Sequence, residues 1–182
     1  MSVTLSDDPI SRVMRAMMQT LMLHEDLRTL VRPGNRLDYA GGIDSSPVKE
    51  NPITNDLPEL SIYPNGGIVN PPQGGGVSSS SMSIVQRFIV GIATEEQRAS
   101  MDQRGVNECK WRLIQACQRI QHDSQADMVM GLPEVRIFRI GEFFDEMNRD
   151  VIPAPTPRLI TGWVFGLSVE VLMVFDRVEM MA

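Results

Sequence analysis

The only histidines in the chain are His24 and His122. A helical zinc site needs two histidines one turn apart on one face, and "HEDLR" at His24 carries only one, so the spacing excludes it. His122 falls at the end of a predicted helix, where a cation is favoured by the dipole. Cys109 and Cys117 stand eight residues apart in a helical pattern. At a rise of about 1.5 Å per residue their separation is roughly 12 Å, too long for a disulfide, so they are expected to be free core thiols. Cys109 sits at a helix-stripe position with no visible base to activate it as a nucleophile. Glu142, Asp145 and Glu146 form an acidic cluster after a predicted strand. Nothing in their spacing sets the separation or burial that paired-carboxylate catalysis requires, and a solvated loop is the expectation. The glycines of "NGGIVNPPQGGGVSSSS" have no lysine beside them and no helix opening behind them, which argues against a phosphate cradle. No catalytic residue, cofactor or metal ligand emerges, and the chain reads as a non-enzyme.

Composition narrows the class further. A chain of 182 residues is long enough for one domain with arms, and 42% hydrophobic with 22% charged residues is ordinary for a folded protein. The net charge of −6 argues against a protein that grips nucleic acid, because such grip comes from many cations displacing counterions. Lys49 and Lys110 are the only lysines, and the remaining cations are arginines, the residue favoured in interfacial forks. The 13 methionines supply adaptable packing volume for a core or an interface. No run approaches the roughly 20 apolar residues of a membrane span, and the N-terminus lacks a charged region followed by an apolar one. A soluble protein made in a cytoplasm is expected, with no membrane partner.

The elements that must position any surface follow from periodicity. Asp8 as N-cap and Pro9 at the first helical position open a helix with Ile10, Val13, Met14, Met17, Met18 and Leu21 on one stripe. A short helical turn over Glu25 to Val31 ends at Pro33 and Gly34. Residues 32–56 read as an irregular arm. "LPELSIYP", Leu57 to Pro64, reads as a strand with Leu60 and Ile62 on one face, closed by Pro64. Residues 64–83 read as a long Gly/Ser-rich hairpin loop. "SIVQRFIVGIAT" places Ile84, Phe88, Val90 and Ile92 on one face, interrupted by Gln86. A helix follows from Ala99 to His122 with Val106, Cys109, Leu113, Ala116 or Cys117, and Ile120 inward. "EVRIFRIGEFFDEM" alternates Val135, Ile137 and Arg139 against Arg136, Phe138 and Ile140, and "NRDVIPAPTPR" reads as a proline-stiffened turn or arm. The last run sets Trp163, Phe165, Leu167, Val169, Val171, Met173 and Phe175 against Gly166, Ser168, Glu170 and Asp176, a long half-buried strand. The fold expected is a single α+β domain over 1–182, a mostly antiparallel sheet with two helices packed on one face and long arms.

The N-terminal helix, "LPELSIYP", "SIVQRFIVGIAT", the second helix, "VRIFRIGEFFDE" and the closing "GWVFGLSVEVLMVFD" together resemble the tail terminator proteins of long-tailed bacteriophages. The similarity covers Ile10 to Leu23 and, with gaps, Leu57 to Asp176. It implies a virion protein, assembled in the host cytoplasm, that forms a hexameric homo-oligomer ring at the head-proximal end of the tail. Such a ring ends tail tube polymerisation and joins the tail to the neck. The partners implied are the tail tube protein, the tail sheath protein in contractile tails and a neck or head-completion connector protein. DNA passes through the lumen without specific binding, which fits the acidic balance. The segments Arg32 to Asp56 and Asn65 to Ser83 are additions relative to smaller members of that family.

A ring subunit needs two different complementary surfaces. Tyr63, Asn65, Gly66, Gly67, Arg87, Arg136 and Arg139 are the candidate subunit or tube contacts, with the loop after Tyr63 reaching to a neighbour. A head-completion or neck connector is the alternative, and a small soluble enzyme or ligand-binding domain the reading from another class.

Overall fold

The computed structural model describes residues 8–38, 58–69, 81–95, 106–123, 130–152 and 158–176. Helix α1, Pro9–Leu21, starts as its sequence dictates: Asp8 is the N-cap, its Oδ1 accepts from the Ser11 N–H at 2.9 Å, and Pro9 opens the first turn. Helix α2, Glu25–Leu30, follows after a short turn. A 3₁₀ turn at Pro33–Asn35 leads into strand β1, Arg36–Asp38. Strands β2, Glu59–Val69, and β3, Ser81–Glu95, precede helix α3, Val106–Asp123. Strands β4, Val135–Ile152, and β5, Arg158–Asp176, follow α3.

The strands form one sheet in the order β1-β2-β3-β5-β4. The last four are antiparallel throughout, and β1 adds to the edge in parallel over three residues, Arg36 to Asp38 opposite Leu60 to Ile62. The class is α+β. One face of the sheet carries Leu60, Ile62, Phe88, Val90, Ile92, Leu167, Val169 and Val171, buried in a single core with Val13, Met17 and Leu21 of α1 and Cys109, Leu113 and Cys117 of α3. The described helices all pack on that face, so the other has no helical cover among the described residues.

Three sequence expectations change. Pro64 does not close β2, which runs on to Val69 through a bulge between Pro64 and Gly67. Gly66 takes the left-handed conformation there (φ +73°), and buried Gln86 donates from Nε2 to the Gly66 carbonyl at 2.7 Å, replacing the ladder bond lost to irregularity. The supposed hairpin loop 64–83 is therefore strand at both ends, and residues 70–80 lie outside the described ones. The arm 32–56 is regular at its start, and residues 39–56 lie outside the described ones: Arg36 donates to the Val31 carbonyl through Nε at 3.1 Å and Nη2 at 2.8 Å, and to the Arg28 carbonyl at 3.1 Å. That guanidinium satisfies the C-terminal carbonyls of α2 and fixes β1 to it. Finally, "NRDVI" belongs to β4 rather than to a turn, so Glu142, Asp145 and Glu146 sit in a strand and not in a solvated loop.

Neither cysteine is in a disulfide, both are fully buried, and burial pushes the Cys117 thiol up to about 12. Thiolate reagents need the ionised sulfur. Both thiols are expected to react with Ellman's reagent only on global unfolding; rapid labelling of either in the native protein contradicts this packing.

Candidate functional site

The helix-free face is ordered in rows by the register of the strands. Gly91 lies opposite Gly166, and Ser61 opposite Gly91, giving a floor of small residues across β2, β3 and β5. The ring of Phe144 covers Gly166: a Cβ there would fall 2.1 Å from the ring, so glycine is what lets the aromatic lie on the sheet. The next row holds Tyr63, Ile89 and Ser168. Then comes a charged row in which Arg87 and Arg139 flank Glu170 from the two neighbouring strands. Arg87 Nε donates to Glu170 Oε1 at 3.1 Å, and Arg139 Nη2 donates to Oε2. Beyond it lies an apolar row, Ile68, Val85, Leu172 and Ile137, spanning four strands. Ile68 and Ile137 are half exposed.

These rows border a concavity of about 680 Å³ lined by Tyr63, Asn65, Arg87, Ile89, Arg139, Glu142, Phe144, Ser168 and Glu170. Four of the seven residues singled out in the sequence, Tyr63, Asn65, Arg87 and Arg139, meet at this one place. Asn65 and Gly66 form the bulge at its rim, and Gly67 is the first residue back in register after it. Arg136 does not join them. It is the extra residue of a bulge in β4 between Val135 and Ile137, which also shifts the alternation so that Phe138 and Ile140 follow Val135 inward while Ile137 faces out. The acidic cluster divides: Glu142 lines the concavity, whereas Asp145 is paired with Lys110 of α3 on the helix side. Among the described residues no group of three or more His, Cys, Asp or Glu is placed to hold a metal ion.

Glu170 is the residue that sequence reasoning assigned to a polar face without a partner. Its carboxyl is held below its ordinary value of 4.5, first by the Arg139 hydrogen bond, opposed by burial, with Arg87 adding to the lowering. A carboxylate with a lowered folded value contributes stability above its unfolded value, and that contribution is lost as pH falls through the folded value. The Glu170 cluster therefore weakens below about pH 4.5. In Arg139→Ala the Glu170 midpoint, read by carboxyl NMR titration, is expected to rise toward the ordinary value; an unchanged midpoint would remove Arg139 as its cause.

In comparisons with known proteins, no family model matches this chain and no curated protein matches it.

Proposed function

We propose that the chain is a structural ring subunit of a long-tailed phage, a tail terminator that ends tube polymerisation at the head-proximal end and joins the tail to the neck. The observation that carries this reading is the helix-free sheet face. Half-exposed Ile68 and Ile137 end one continuous apolar row across four strands, bordered by the paired arginine row and an exposed Tyr63, and a contiguous apolar patch rimmed by polar groups suits a macromolecular partner. The elements on which the sequence resemblance rests follow one another in the same sequence in the fold, with α2 and β1 inserted between the first helix and the first of its strands. A net charge of −6 favours a lumen through which duplex DNA slides, because a basic bore would hold it by counterion release.

The test is to add purified protein to growing tail tubes and to image both. Rings in negative stain and tubes of one fixed length are expected. A monomer that leaves tubes growing without limit overturns the proposal, and rings that bind portal-side necks but do not stop tubes shift it to a connector.

A further inference from the structure

A second charged cluster stands on the opposite layer of the molecule. Arg112 of α3 donates from Nη1 to Asp26 Oδ2 of α2 at 2.6 Å and from Nε to Glu108 Oε1, one turn earlier, also at 2.6 Å. One arginine between two carboxylates carries a formal charge of −1. Across the sheet, one carboxylate between Arg87 and Arg139 carries +1. The two triads are inverse in composition, acid–Arg–acid on the helix layer and Arg–acid–Arg on the sheet face. Each also has an apolar companion. Trp111, adjacent to Arg112, is 53% exposed, unusual for the largest side chain. The concavity of about 680 Å³ is lined by Arg87, Glu170 and Arg139 themselves, with Tyr63, Ile89 and Phe144 beside them.

We infer that a second copy of this chain is the occupant of the helix-free face: Trp111 of one copy enters the concavity of the next, and its Asp26 and Glu108 reach Arg87 and Arg139. A knob and a socket on opposite layers give a heterologous contact, the kind that closes into a ring by rotation and cannot satisfy itself in a two-fold pair. Aromatic anchors in desolvated pockets dominate such interfaces, and opposed charge sets their register. The sheet edges are poor competitors. The β2 edge is broken by Pro64 and a bulge and partly covered by β1, and β4 carries two bulges, devices that discourage strand-to-strand addition. The inference rests on the ring reading for the partner's identity, but its residues are its own.

The experiment uses the full chain in analytical ultracentrifugation. Trp111→Ala removes the knob and Arg139→Glu spoils the socket, each at an exposed position, with melting temperature and circular dichroism as fold controls. Each variant alone is expected to sediment as a monomer at concentrations where the parent is oligomeric, its self-association weakened on the order of thirtyfold or more. Mixed together they are expected to form a one-to-one dimer, because the Arg139→Glu copy keeps its knob and the Trp111→Ala copy keeps its socket. Variants that retain the parent's oligomer, or a mixture that stays monomeric while both fold, overturn this interface and leave the ring reading standing. A parent protein that stays monomeric at every concentration, alone and with tail tubes, overturns both. A monomeric parent captured by tubes through Arg139 makes the tube subunit the occupant and overturns the second-copy inference.

Discussion

Phe88→Ala is expected to destabilise the protein by about 3–5 kcal/mol, the cost of deleting a fully buried aromatic and leaving a cavity that cannot collapse. Phe88 is completely inaccessible and sits at the middle of β3, opposite Val169 on β5 and Pro64 on β2. β3 is the central strand of the sheet, so its neighbours are held on both sides and cannot move in to fill the space. At about 2–4 °C per kcal/mol for a chain of this size, the melting temperature should fall by roughly 6–20 °C. Domains have only about 5–15 kcal/mol in total, so a substantial unfolded fraction at 37 °C is within reach. Ile137→Ala, on the other face and half exposed, supplies the control and should shift melting little. Equal shifts from the two substitutions would mean that the helices do not cover the face on which Phe88 lies.

That contrast was half legible in the sequence. Period-two patterns in β3 and β5 assign Phe88, Val90, Leu167, Val169 and Val171 to one face, and the structure buries all five there. The cap and stripe of α1 were equally plain, because caps and helical periodicity are local physics. Alternation failed in β4. A bulge after Val135 makes Arg136 the odd residue, so Ile137 turns outward although its spacing from Val135 says otherwise. Bulges add one residue without leaving a compositional mark in this run. Proline misled at position 64 for a related reason: its missing N–H matters only where a ladder bond is required, and the bulge with Gly66 removes that requirement.

The candidate surface was legible as residue types but not as a place. Arg87, Arg139 and Glu170 lie on three strands, and only register brings them together. Sequence offers no register across a non-sequential order such as β3-β5-β4. By contrast, the Glu108 and Arg112 pair was missed although its spacing of four on a helix is a signal that local rules provide. Its second partner, Asp26, comes from another element and was not readable. The result is a molecule whose core is written largely in local patterns and whose two charged triads are completed only in the tertiary fold.

Gly67→Ala should cost about 1–3 kcal/mol, as over-packing does where nothing can yield. A Cβ on Gly67 would lie 2.7 Å from the Val85 carbonyl oxygen and 3.3 Å from the Gln86 Cα. Both are backbone atoms of the central strand, and neither can rotate aside as a long side chain would. The strain must open the β2 and β3 ladder between Gly67 and Val69, where Ile68 faces Val85. Gly66 provides the contrast. A Cβ there meets nothing within 4 Å, and the only demand is its φ of +73°. Asparagine tolerates that region best among residues with a side chain, so Gly66→Asn should be mild and Gly67→Asn severe. Amide exchange at Ile68 and Val85 reads the difference directly: Gly67→Ala should raise both rates, and Gly66→Asn should leave them close to the parent's. Because Asn65 and Tyr63 stand at the mouth of the concavity, opening this ladder also displaces the socket. The substitution should therefore weaken self-association by more than its melting shift alone implies. A Gly67→Ala protein that melts and associates like the parent would show that the bulge does not build the rim.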